Sequence, residues 1–302
     1  MALFDRYIAV DWSAHNGPKT GRDSIWIGET RADSGACAVA NPPTRHRAML
    51  DIASRLEAAL AAGERVLLGF DFAFGYPAGA AETLCGTAGW AALWRVLAAE
   101  IDDDDANRSN RFLAAGRLNG RLGPDGARYW GHPWQHRYES LTPRRPDNNH
   151  ARVAERRLVE NRQRNAQPVW KLSGAGAVGS QALLGIPRLE QLRHAPALVG
   201  RVAIWPFETG FADRLAAPLV IAEIFPSLLP LPAAATEVRD RLQVIAMAEL
   251  FRAADASDRL GDLLSAPPDL TPAERDSVLA EEGWIVGVGH APLLAHFAQT
   301  AA

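Results

Sequence analysis

One stretch constrains the fold more than any other: ERVLLGFDFAFGYPAG, residues 64–79. Val66 to Phe70 is an uninterrupted apolar run of strand length, the pattern of a β-strand covered on both faces. Such a strand belongs at the centre of a sheet with helices on either side, which points to an α/β architecture. The run ends on a carboxylate, Asp71, and Gly75 and Pro77 then turn the chain. A charge at the inner end of an apolar strand needs a partner, a proton or an ion.

The flanking sequence builds outward from that strand. Residues 6–12 form a short β-branched run, residues 23–30 place Ile25 and Ile27 among polar neighbours, and a third strand is expected near Ala36 to Ala40. Met49, Ile52, Ala53, Leu56 and Leu60 recur at helical spacing up to Gly63, which suits a C-terminal cap. Beyond Pro77 the regularity weakens: a helix is expected near 87–101, and strand character returns only at Arg201–Phe207 and Leu219–Phe225. A helix from about Thr236 to Ala254 follows. A structureless loop as long as the middle of this chain would be improbable in a compact domain. The expectation is therefore a single domain over 1–302, with a mostly helical insertion, 80–200, between the fourth and last core strands.

Four acids take comparable places. Asp11 ends the first strand, Asp71 the fourth, Glu223 lies near the end of the last strand in LVIAEIFPS, and Asp240 opens the closing helix. On a helix Asp240 shares a face with Val244, Met247 and Phe251, so it should turn toward the protein. Taken singly each has a plainer role: a strand-end Asp forms turns, a first-turn Asp favours the helix dipole, and Arg201 or Arg239 could pair with Glu223. Brought together, unpaired carboxylates repel and persist by binding cations or by holding protons. Hard oxygen donors without Cys or His select Mg2+ or Mn2+, ions that activate water and stabilise the leaving oxygen of a phosphodiester. Asp11, Asp71, Glu223 and Asp240 are thus the candidate catalytic and metal-binding set.

Gly174 to Gly179 spells G-x-G-x-x-G, but the breaker Pro187 follows closely and no acid ends a later strand at the expected distance. A tight loop before a short helix, with backbone N–H groups free to meet a phosphate, suits it better than a dinucleotide site. Ser13, Lys171 and Ser173 are candidate substrate contacts, although Lys171 would serve equally as a surface cation. Residues 106–165 hold thirteen arginines, no lysine and five acids, an excess of eight, while the whole chain is −3 and the remainder therefore −11. Arginine interleaved with Phe112, Tyr129, Trp130, Trp134 and Tyr138 suits phosphate contact and base stacking, with Arg144 and Arg145 as candidates. The alternative is a solvated, partly self-paired face, with Glu155 and Glu160 near the arginines of ARVAERRLVENRQR. His132, His136 and His150 lack zinc spacing and read as packing or phosphate contacts.

The succession of three strands, a helix, an acid-ended strand, a further strand and an acid-bearing helix resembles the ribonuclease H-like fold. IAVDWSA, LLGFDFAFGYPAG, KLSGAGAVGSQALLGIPRL, IWPFETG, VIAEIFPS and EEGWIVGV resemble a bacterial family of uncharacterised, predicted nucleases with that fold. The resemblance implies a mixed sheet flanked by helices and metal-dependent cleavage of nucleic acid or a nucleotide. Asp11 and Asp71 match the usual acids and Asp240 the closing-helix acid, with Asp255 and Asp258 as rivals. Glu223 belongs to the narrower family. The same core serves actin-like kinases, but Asp11-Trp12-Ser13-Ala14-His15 lacks their Asp-x-Gly phosphate loop. A small-molecule kinase and a catalytically inert nucleic-acid-binding protein are the alternatives.

Two isolated cysteines, Cys37 and Cys85, suit a reducing cytoplasm. MALFDRYIAVDWS places Asp5 and Arg6 before a short apolar run, unlike an export signal. PLVIAEIFPSLLPLPAAA is broken by Glu223 and three prolines, so a membrane span is not expected.

Overall fold

In a computed structural model the strand and helix patterns resolve into a six-stranded mixed sheet with helices packed on both faces. Residues 2–123, 126–147, 152–212, 215–231 and 236–300 are described. β1 (Arg6–Asp11), β2 (Trp26–Arg31) and β3 (Ala38–Ala40) form an antiparallel meander. α1 (Arg45–Ala61) begins where the Thr44 hydroxyl accepts from the Arg47 N–H at 3.2 Å, and Gly63, left-handed at φ 72°, lies just past its end. The chain then enters β4 (Val66–Phe70), parallel to β1. α2 (Ala80–Cys85), α3 (Trp90–Glu100), α4 (Arg111–Leu122), α5 (Leu158–Arg162) and α6 (Gly179–Arg193) precede β5 (Val202–Ile204) and β6 (Leu219–Glu223). α7 (Arg239–Ala256), α8 (Leu260–Leu264), α9 (Pro272–Ser277) and α10 (Ala291–Thr300) complete the order. Across the sheet the strands run β3-β2-β1-β4-β6-β5, and β4 lies between two parallel neighbours with every residue buried.

Because side chains alternate along a strand, the sheet has two distinct cores. Ile8, Val10, Leu68, Phe70 and Ile221 pack with α1, α3 and α6. Tyr7, Ala9, Leu67, Val220 and Ala222 pack with α7 and the C-terminal segment. Tyr129, Val153, Val169 and Trp170 join the first of these, so the insertion shares its apolar core with the sheet. No helix of the described residues is long and apolar enough to cross a membrane.

Two expectations change. The insertion is less helical than its length suggested: between α4 and α5 the described residues hold only isolated bridges such as Trp130 with Thr142 and with Lys171. The arginine- and glycine-rich sequence there offers no sustained apolar period for a helix, and ARVAERRLVENRQR contributes only the five residues of α5. Pro187 does not break the chain but lies inside the fifteen-residue α6, buried with Ile186 and Leu189 on either side. Tertiary burial on that helix outweighs the one hydrogen bond that proline removes.

Two close approaches set the geometry of the later site. A Cβ on Gly28 would lie 2.9 Å from the Val244 carbonyl oxygen, so glycine there lets α7 press onto β2. A Cβ on Gly75 would lie 2.3 Å from the carbonyl oxygens of both Glu281 and Glu282, so glycine lets the turn after β4 seat against the π-helical turn 278–282. That turn is further pinned where Glu281 accepts from the Gly79 N–H at 3.0 Å and Glu282 from the Ala78 N–H at 3.1 Å. Gly75→Ala is expected to destabilise the protein by about 1–3 kcal/mol, the usual cost of overpacking against backbone, measurable as a lower midpoint in urea unfolding.

Candidate active site

The register of the parallel strands decides which acids meet. Val10 pairs with Phe70 and Phe70 with Glu223, so β1, β4 and β6 all end at one edge of the sheet. The Asp71 N–H donates to the Val10 carbonyl at 3.0 Å, holding the turn after β4 level with the end of β1. By the pleat, Asp11 and Asp71 continue the face that meets α7, whereas Glu223 continues the face of Leu219 and Ile221, toward the insertion. One carboxylate group is thus divided between the two sides of the sheet.

On the α7 side Asp11, Asp71 and Asp240 act on one another. Burial, then Asp71, Asp240 and Asp23, hold Asp11 well above the usual carboxylate range. Burial, then Glu223 and Asp240, raise Asp71 to about 7. Among the described residues nothing acts in the other direction on either group. Asp240, in the first turn of α7, is half-buried as its apolar face requires; burial raises it, while the Asp23 N–H, donating to it at 2.6 Å, opposes the shift. The backbone at Asp23 is left-handed at φ 54°, and the Ser13 hydroxyl donates to the Asp23 carbonyl at 3.2 Å, tying the β1–β2 connection into the same corner.

On the insertion side Glu223 is placed otherwise than a metal ligand requires. Both its oxygens accept from the buried Arg157 guanidinium, at 2.6 and 2.8 Å, and one also accepts from the Phe74 N–H at 3.0 Å. Neither Arg201 nor Arg239 supplies its partner. Arg157 also donates to Glu160 at 2.8 Å and to the Glu282 carbonyl at 3.0 Å. Burial raises Glu160 even beside this cation. The rival acids serve elsewhere. Asp255 is buried and accepts from the Leu3 and Phe4 N–H groups and from the Tyr7 hydroxyl at 2.6 Å; Asp258 is a left-handed residue, φ 58°, past the end of α7.

A cavity of about 840 Å³ opens beside this edge. Asp71, Phe72 and Glu223 form part of its wall, Ser13, His15 and Asp23 another, and Ser173 with the start of α6 a third. Gln181 on α6 donates to the Trp12 carbonyl, which holds that helix against the end of β1. In the G-x-G-x-x-G loop Gly174 and Gly176 are left-handed, and a Cβ on Gly179 would lie 2.5 Å from the Val169 carbonyl oxygen. Those glycines therefore answer to turn and packing needs.

The other expected contacts divide. Ser13 and Ser173 line the cavity; Lys171 turns to Gln167 and the Ala175 carbonyl, at 3.0 and 2.6 Å, and is not on its wall. Arg144 lies over the Trp134 ring and Arg145 pairs with Glu155 at 3.0 Å, both away from the cavity lining. Arg117, Arg121, Arg108 and Arg162 also pair with acids, so much of the basic insertion is neutralised internally. His132 is buried against Tyr138 and His136 also meets that ring, while His150 lies outside the described residues. Arg157, Asp23 and Gln181 escape sequence reading: Arg157 is one of many arginines, and only contact with Glu223, sixty-six positions away, sets it apart.

Asp11, Asp71 and Asp240 offer only hard oxygen donors, and their mutual repulsion is what a divalent cation relieves. Among the described residues no group of three or more His, Cys, Asp or Glu side chains is placed to hold a metal ion. An open pair of carboxylates fits Mg2+, which is commonly held by one or two carboxylates with water and substrate oxygens completing its shell. Compared with models of known protein families, with curated proteins and with solved structures, the chain matches none.

Two outcomes are expected. Burial and its acid neighbours raise Asp71 in the folded state to about 7, against about 4 when unfolded. Between those values the folded state holds the extra proton, so this group's contribution to stability falls as pH rises. Melting temperature should therefore drop from pH 5 to pH 8, and Asp71→Asn should flatten the drop and melt higher than the unaltered protein at pH 8; parallel profiles would contradict the burial described. Arg157→Ala, which strands two buried carboxylates, should cost about 3–5 kcal/mol in chemical unfolding.

Proposed function

We propose that this chain is a metal-dependent hydrolase of phosphodiester bonds on a ribonuclease H-like core, acting on nucleic acid or a nucleotide. The observation that carries the reading is the pair Asp11 and Asp71, at the ends of adjacent parallel strands, with Asp240 approaching from α7 and, among the described residues, no cation acting on the pair. The antiparallel meander, the single helix and the parallel acid-ended strand support the likeness of the core, as does an acid in the helix packed on β1 and β2.

Asp11 and Asp71, with Asp240 beside them, would receive Mg2+ or Mn2+, which when bound supplies Lewis-acid polarisation of the phosphoryl oxygen and a more acidic water. Asp71, on the cavity wall, presents its carboxylate to the reacting phosphate's surroundings. Asp240 keeps the β1–β2 connection in place through the Asp23 N–H. Glu223 is the fourth member of the expected set; in this arrangement its work is to fix Arg157 and the Phe74 N–H, and so the turn that carries Asp71.

With Mn2+, the purified protein should hydrolyse a phosphodiester such as bis(p-nitrophenyl) phosphate. Asp71→Asn should lower the rate by more than the roughly 10–100-fold that loss of an outer partner of a metal site typically costs, while remaining folded by circular dichroism. Equal rates in the two proteins would remove Asp71 from the chemistry.

A further inference from the structure

We infer that the substrate is compact, a phosphodiester of dinucleotide size held inside the cavity, and not a DNA or RNA duplex or an extended strand; this rests on the hydrolase reading. The cavity's volume, about 840 Å³, lies in the range of small-molecule sites. It is a half-open hollow bordered by the β1–β2 connection, the turn after β4, residues 157–167 around α5, the loop leading into α6 and the segment after β6.

Charge argues the same way. Proteins that hold a strand irrespective of sequence line a groove with cations over on the order of 4–16 nucleotides. Here the wall carries Asp23, Asp71, Glu160 and Glu223, and Arg157 is already saturated by Glu160 and Glu223. Lys171 is turned away onto Gln167, and Lys19 and Arg22 sit beside Asp23. Arg144 and Arg145 are outside the lining. Arg239, exposed at the rim, is the lining cation that has no ion-pair partner among the described residues. One free arginine suits one phosphate, whereas a polyanion would meet a mouth of its own sign. Phe225 supplies an aromatic wall against which a base can stack, and Gln167, whose carbonyl is taken by Lys171, retains its amide N–H donors for a base edge.

The reaction balances with one water: its oxygen forms the new P–O bond, the ester P–O bond breaks, one proton goes to the leaving alkoxide oxygen, and the other stays with the new phosphomonoester or passes to solvent. A dinucleoside phosphate yields a nucleoside and a mononucleotide.

The test uses the full chain and three probes: adenylyl-adenosine, a circular single-stranded DNA and a duplex, the latter two longer than about 30 nucleotides so that they exceed ordinary strand-binding footprints. Binding is measured in Ca2+ and cleavage in Mn2+. Adenylyl-adenosine should bind more tightly than either polymer and be cleaved, with the circle left closed. Arg239→Ala should weaken its binding roughly 10-fold, the size of one charge-assisted hydrogen bond. Opening of the circle, or tighter binding of the duplex, would overturn the compact substrate while leaving the hydrolase reading intact. If no probe is cleaved the hydrolase reading falls, and binding alone then decides: preference for the dinucleotide supports the size class, and equal or absent binding refutes it.

Discussion

The buried guanidinium of Arg157 is the contact on which the arrangement turns. It is 2% exposed and bridges Glu160 beside it, Glu223 at the end of β6 and the Glu282 carbonyl in the C-terminal segment. A charge so enclosed is tolerable only with its partners complete, so three distant parts of the chain are obliged to meet in one geometry. The Phe74 N–H bound to Glu223, and Glu281 and Glu282 accepting from the residues after Pro77, extend the constraint to the turn after β4. Asp71 opens that turn. The position of the candidate active acid is therefore fixed from both ends, by the β1–β4 register before it and by the Arg157 network after it.

The pleat explains why neighbouring acids have different fates. Glu223 and Asp71 end adjacent strands, and alternation starts them from different faces of the sheet although both reach the cavity at the strand ends. The insertion faces one side and offers an arginine. α7 faces the other and brings a further acid, Asp240, on a helix drawn close by Gly28. One guanidinium against Glu160 and Glu223 leaves a carboxylate in excess, and the residual field is felt at Asp71, where Glu223 is the largest charge influence. Neutralisation on one face thus does not relieve the crowding on the other.

Much of the fold is legible in local pattern. The β-branched run ending in Asp11, the continuous run ending in Asp71 and the spacing of Ile52, Leu56 and Leu60 each report burial at their own position, and each becomes the element its period implies. The candidate acids share that legibility, because a carboxylate at the end of an apolar strand is conspicuous. The insertion is not legible: its helices are short, and it is held by aromatic contacts among Tyr76, Tyr129 and Trp170 and by arginine pairs between distant residues. Charge counting finds the excess of arginine there but not its destination. An arginine facing solvent and one inside a carboxylate cluster read alike in sequence, which is why Arg157 stays hidden among its neighbours and Arg144 and Arg145 stand out without reaching the cavity.

Stability and chemistry pull against each other at this edge. A pair such as Asp11 and Asp71 without a cation opposes folding once both are ionised, and no packing around them reverses that sign. Asparagine at either position would remove the repulsion while keeping the shape, so a chain optimised for stability alone would carry it. Asp255 shows the contrast: it is buried too, but two backbone N–H groups and a tyrosine hydroxyl satisfy it. The fold is able to compensate a buried aspartate fully where the aspartate has only to hold the chain together. At Asp11 and Asp71 the described residues supply further negative charge, and that asymmetry, more than the presence of acids, is what the proposal of a bound ion and phosphate rests on.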